Sequence, residues 1–93
     1  MMQFEELHIA SLVVHSTPRR LESVSEAIAA LPGAVIHAAS AAGKLVVTLE
    51  VATSEAMSQQ VSMIQHIDGV LSAVLVYQCA DNLDAMNEEV ADA

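Results

Sequence analysis

The chain of 93 residues, 9.8 kDa, holds one domain at most, because a second could not bury a core of its own. Three Lys and Arg against twelve Asp and Glu give a net charge of −9, which repels phosphate backbones and anionic lipid surfaces and argues against nucleic acid or membrane as partner. Apolar residues are 54% of the chain but aromatics only 2%, so the core is aliphatic and platforms for base stacking are missing; the single Cys79 makes neither an internal disulfide nor a multi-cysteine metal site.

Residues 1–6 carry two acids and no base ahead of the first apolar run, so no export signal is read there, and the run at 8–14 is too short to span a bilayer. The expectation is a soluble cytoplasmic protein. Ile9, Ala10, Ser11, Leu12, Val13 and Val14 form a first strand, after which Thr17 is read as an N-cap and Pro18 as the first helical position. Leu21, Val24, Ile28 and Leu31 recur at helical spacing, and the pair Pro32, Gly33 ends that helix. A second strand at 34–38 leads through the small residues 39–43 into a third at 44–51, where Leu45, Val47, Leu49 and Val51 share one face.

Thr53 or Ser54 caps a second helix, with Glu55 in its first turn and Met57, Val61 and Ile64 as its buried stripe. Asp68 and Gly69 stop it, and residues 70–77 form the last strand. The halves match at an offset of 36 residues, pairing Ile9 with Leu45, Ile28 with Ile64 and Gly33 with Gly69. The order βαββαβ describes an α+β, ferredoxin-like split βαβ domain over 1–80: a four-stranded antiparallel sheet with both helices on one face. Residues 81–93, with five of the twelve acids, read as an acidic flexible tail.

Helices on one face leave the other face of the sheet to water or a partner. The first and last strands, taken here as the central pair, are apolar on both parities, and an uncovered apolar patch marks an interaction surface. Val-rich central strands and closure by a homodimer are the plainer explanations. If Leu45, Val47 and Leu49 face the core, Val46, Thr48 and Glu50 face outward, and an apolar groove with an acid at its rim suits an apolar partner carrying positive charge.

Catalytic and cofactor chemistry finds little support. His8, His15, His37 and His66 lack metal-ligand spacing, and His8 and His15, seven apart on a strand, fall on opposite faces. Arg19 and Arg20 could hold an anion near a helix start but have no glycine-rich loop beside them. No nucleophile with a base and no converging carboxylates are evident, so no catalytic residue, cofactor or metal is assigned. The acylphosphatase loop, the aromatic strands of RNA-recognition domains and the Cys-x-x-Cys pair of metallochaperones, all on this fold, are each missing.

The segments His8-Ile9-Ala10-Ser11-Leu12-Val13-Val14, Leu31-Pro32-Gly33, Gly43-Lys44-Leu45-Val46-Val47-Thr48-Leu49-Glu50 and Ile67-Asp68-Gly69-Val70-Leu71-Ser72-Ala73-Val74-Leu75-Val76-Tyr77 resemble, in order and loop length, the NapD family of cytoplasmic chaperones for periplasmic nitrate reductase. The resemblance covers residues 7–78 and departs at Gln78, where many relatives carry His after the strand-end Tyr. It implies a non-enzymatic role: binding the twin-arginine (Tat) signal peptide of the nitrate reductase catalytic subunit, holding back export until the molybdenum cofactor and iron–sulfur cluster are in place. The peptide would fold into a helix on the open sheet face. On the strand parities above, Ala10, Leu12, Val14, Val46, Thr48 and Glu50 form that surface, with Leu71, Ala73 and Leu75 as neighbours. The alternative is a dimeric ferredoxin-like regulatory module with a small ligand, and a weak homodimer is compatible with either reading.

Overall fold

A computed structural model describes residues 6–82 of the chain. Its elements follow the expected order: β1 (Glu6–Ser16), a single 3-10 turn (Pro18–Arg20), α1 (Leu21–Ala29), β2 (Ala34–Ala39), β3 (Lys44–Val51), α2 (Ser54–Gln65) and β4 (Val70–Asn82). Thr17 is extended and its side chain caps nothing, because Pro18 starts a 3-10 turn before the α-helix begins at Leu21. Thr53 does cap α2: its hydroxyl accepts a hydrogen bond from the Ala56 N–H at 3.0 Å, worth about 1 kcal/mol.

The strands form one antiparallel sheet in the order β2-β3-β1-β4. This corrects the expected strand placement. β1 and β3 are central, and β4 is an edge strand despite being apolar on both parities. β4 also runs on to Asn82, so that Asp81 and Asn82, assigned to the tail from composition, stand opposite Leu7 and Glu6. The remainder of the expected tail lies outside the described residues.

The core lies between the sheet and the helices. Ala10, Leu12 and Val14 of β1 and Leu45, Val47 and Leu49 of β3 are fully buried against Val24 and Ile28 of α1 and Ile64 of α2, with Met57 close behind. The register explains the β1 parity: Leu12 stands opposite Val47, Ala10 opposite Leu49 and Val14 opposite Leu45, and directly opposed residues of an antiparallel pair share a face. Once β3 gives its leucines to the core, β1 must give its even-numbered residues.

Two turns hold the sheet to its connections by backbone contact. Gly33, at φ +81°, accepts from the Glu50 N–H at 2.9 Å. Gly69, at φ +104°, accepts from the Thr17 N–H at 2.9 Å and lies against the stem of Arg20. Among the described residues no helix is long and apolar enough to cross a membrane.

Candidate functional site

The sheet face away from the helices is built of rows that run across the strands. Val74, Val13 and Val46 stand side by side on β4, β1 and β3, and Ala38 of β2 completes the row. The next row is Tyr77, Ser11, Thr48 and Val35, and beyond it stand Cys79, Ile9 and Glu50. On the other side of the valines lies a polar row of Ser72, His15 and Lys44. Among the described residues no helix covers this face. Val46 is 36% exposed, Val74 52% and Tyr77 57%, whereas Ile9, Ser11 and Val13 on the central strand are half-buried between their neighbours.

Side-chain hydrogen bonds frame the apolar middle. His37 Nε2 and Thr48 Oγ1 are 2.7 Å apart between β2 and β3, and Ser72 Oγ and His15 Nδ1 are 3.3 Å apart between β4 and β1. His37 has no partner in the β2–β3 register, which jumps from Ile36 to Ala38; this bulge brings the imidazole to Thr48. Charge is divided lengthwise, with Lys44 at one end of the face and Glu50 at the other, both exposed. His15 and Ile9 are six residue steps apart along β1, so the polar and acidic rows are about 20 Å apart.

Five residues expected on this face lie elsewhere. Ala10, Leu12 and Val14 are core residues with no exposure at all. Ala73 and Leu75 stand opposite Val14 and Leu12 and share their side: Ala73 packs on the core, and Leu75 lines a groove against α2. Leu71 falls in a register shift of β4, opposite no β1 residue, and is 69% exposed. Val46, Thr48 and Glu50 lie on the open face. The residues that β1 and β4 add to them are Ile9, Ser11, Val13, Val74 and Tyr77.

The other candidate chemistry separates in space. Arg20 is ion-paired with Asp68, and Arg19 is exposed in the 3-10 turn. His8 is buried on the helix side and His15 exposed on the open side. Among the described residues no three His, Cys, Asp or Glu side chains gather as metal ligands would. Cys79 lies within β4 opposite Ile9, not beyond the strand.

Residues 7–82 match the family model described as NapD protein. The Chaperone NapD of Escherichia coli K12 is 33% identical over 70 residues, covering 74% of this chain and 80% of that protein. The Chaperone NapD of Paracoccus pantotrophus is 38% identical over 72 residues, 77% of this chain and 63% of that one. The solution structure of the E. coli Tat proofreading chaperone protein NapD superposes with a TM-score of 0.72 at 32% identity, over 76% of each chain. Shared sequence, fold and domain extent place this non-enzymatic chain among the chaperones of the NapD family.

Proposed function

We propose that the protein binds the twin-arginine signal peptide of the periplasmic nitrate reductase catalytic subunit, in the cytoplasm, and delays export while the molybdenum cofactor is inserted. The observation that carries this reading is the uncovered row Val74, Val13, Val46, with a carboxylate at one end of the face and an ammonium at the other. A twin-arginine peptide has a basic segment followed by an apolar one, the complement of that face in a chain of net charge −9. The description of the E. coli relative as a Tat proofreading chaperone supports the same role.

The division of charge orients the ligand. The apolar segment lies over the valines and the arginines lie toward Glu50, away from Lys44. A helix of about 13 residues spans the roughly 20 Å between the terminal rows. Coupled folding of the peptide costs part of the contact energy and makes affinity depend on the apolar row as well as on the arginines.

Calorimetric titration with the synthetic signal peptide, beside its twin-lysine variant, tests the proposal. Binding that the lysine variant weakens is the expected result. No heat at several temperatures with folded protein would overturn it and favour a ligand-binding module of the same fold.

A further inference from the structure

The open face carries two histidines that the proposed function leaves unused. His15, on β1, stands beside Ser72 in the polar row that ends at Lys44. His37, on β2, is exposed and reaches across to β3, where its Nε2 is 2.7 Å from Thr48 Oγ1. The register shift between Ile36 and Ala38 takes His37 out of the ladder and aims its ring over the neighbouring strand. A bulge also blunts an edge strand, but blunting alone requires no imidazole.

Thr48 and Glu50 are two residues apart on β3 and share the open side, so they are about 7 Å apart. The pair His37 and Thr48 and the Glu50 carboxylate are therefore neighbouring polar groups, on the far side of the valine row from Lys44. Glu50 is the one carboxylate among the open-face side chains described. The other charged or titratable side chains there are Lys44 on β3, His15 on β1 and Tyr77 and Cys79 on β4, and Asp81 follows two residues beyond Cys79, opposite Leu7. Helix α1 packs against β2 from the other side of the sheet.

We infer that His37, held by Thr48, accepts one arginine of the twin-arginine pair while Glu50 accepts the other; the inference rests on the peptide-binding role proposed above. Two adjacent arginines bring two guanidinium groups, each a planar fork of donors with no acceptor, and one carboxylate fills one fork. The imidazole supplies the second acceptor in its neutral form alone. With Nε2–H donating to Thr48 Oγ1, Nδ1 keeps its lone pair and is left to accept from a guanidinium. Once protonated, both ring nitrogens donate and the ring carries the same charge as the ligand. Bound arginine and ring proton exclude one another, so binding releases the proton wherever the free imidazole carries it, and affinity falls as the pH is lowered.

Titration calorimetry with a histidine-free synthetic signal peptide, from about pH 8 to about pH 5.5, tests this, with circular dichroism confirming the fold throughout. Affinity should fall about tenfold over that range. His37→Gln keeps an acceptor and does not titrate: at the alkaline end it should bind within about threefold of the unaltered protein, and it should lose the pH dependence. His37→Ala should already be weaker there by about threefold to tenfold. His15→Gln should change neither the affinity nor its pH dependence. Peptides with a single lysine in either position give a reading independent of pH. The loss from His37→Ala should be non-additive with one lysine, and that from Glu50→Gln with the other. An affinity level across the range, or a pH dependence that His37→Gln retains, overturns the inference while the peptide still binds. No binding at any pH would remove the peptide-binding role itself, and this inference with it.

Discussion

Leu12 and Val46 lie one register step apart on adjacent strands and point to opposite sides of the sheet. Leu12, opposite Val47, is fully buried, while Val46, opposite Val13, is 36% exposed. The same kind of aliphatic side chain therefore supports the core at one position and offers a contact surface at the other.

The stability of the two positions should diverge accordingly. Leu12→Ala is expected to cost about 2–5 kcal/mol through lost transfer energy and a residual cavity, and Leu12→Glu to unfold the domain. Val46→Glu should stay within about 1 kcal/mol of the unaltered protein. Urea denaturation followed by circular dichroism measures both, and equal losses would contradict the assigned register.

Peptide affinity should respond in the opposite sense. Val13→Glu and Val46→Glu put a carboxylate into the apolar row and should weaken signal-peptide binding by tenfold or more, about 1.4 kcal/mol, in proteins that remain folded. Titration calorimetry reads the loss. Undiminished affinity in both variants would remove the open face from the proposed function.

Glu50 should act through charge alone. An exposed ion pair contributes about 0.2–1 kcal/mol, so Glu50→Gln should weaken the peptide only a few-fold, and the salt dependence of binding should become shallower. Lys44→Gln, at the other end of the face, should leave affinity unchanged or raise it. A reversed ranking would mean that the peptide lies the other way round.

Gly33→Ala tests the turn that holds Glu50. A Cβ there would come within 2.0 Å of the Glu50 carbonyl oxygen, and φ of +81° is unfavourable for a residue with a side chain. The substitution should cost more than about 1 kcal/mol and shift the Glu50 amide resonance. A resonance left in place would show the contact to be slack.

Thr53→Ala removes the only side-chain hydrogen bond that Thr53 makes as the cap of α2, and should cost about 1 kcal/mol in thermal or urea unfolding. Thr53→Ser should recover most of the loss. Failure of serine to do so would assign the cost to the threonine methyl group.

The element order and the faces of β3 were legible because polar residues occupy one parity there: Lys44, Thr48 and Glu50 alternate with Leu45, Val47 and Leu49. β1 offers no such contrast, since Ile9 and Val13 are as apolar as Leu12 and Val14, and only its pairing with β3 decides between them. β4 is harder still. Leu75 and Tyr77 are two residues apart and by simple alternation would share a face, yet the register shift at Val76 puts Leu75 on the helix side with Leu12 and Tyr77 on the open side with Ser11. A bulge in an evenly apolar strand leaves no mark in composition, so Val74 and Tyr77 could not have been chosen from periodicity.

The central place of β1 has a consequence for the order in which the chain is made. β1 is synthesised first, but its pairing with β4 joins Glu6 to Asn82, the two ends of the described residues. At about 5–20 residues per second, several seconds pass between the two strands. In that interval β3 is the only sheet neighbour of β1 that has been made, and the edge of β1 that β4 covers in the folded domain has no partner until the last strand arrives.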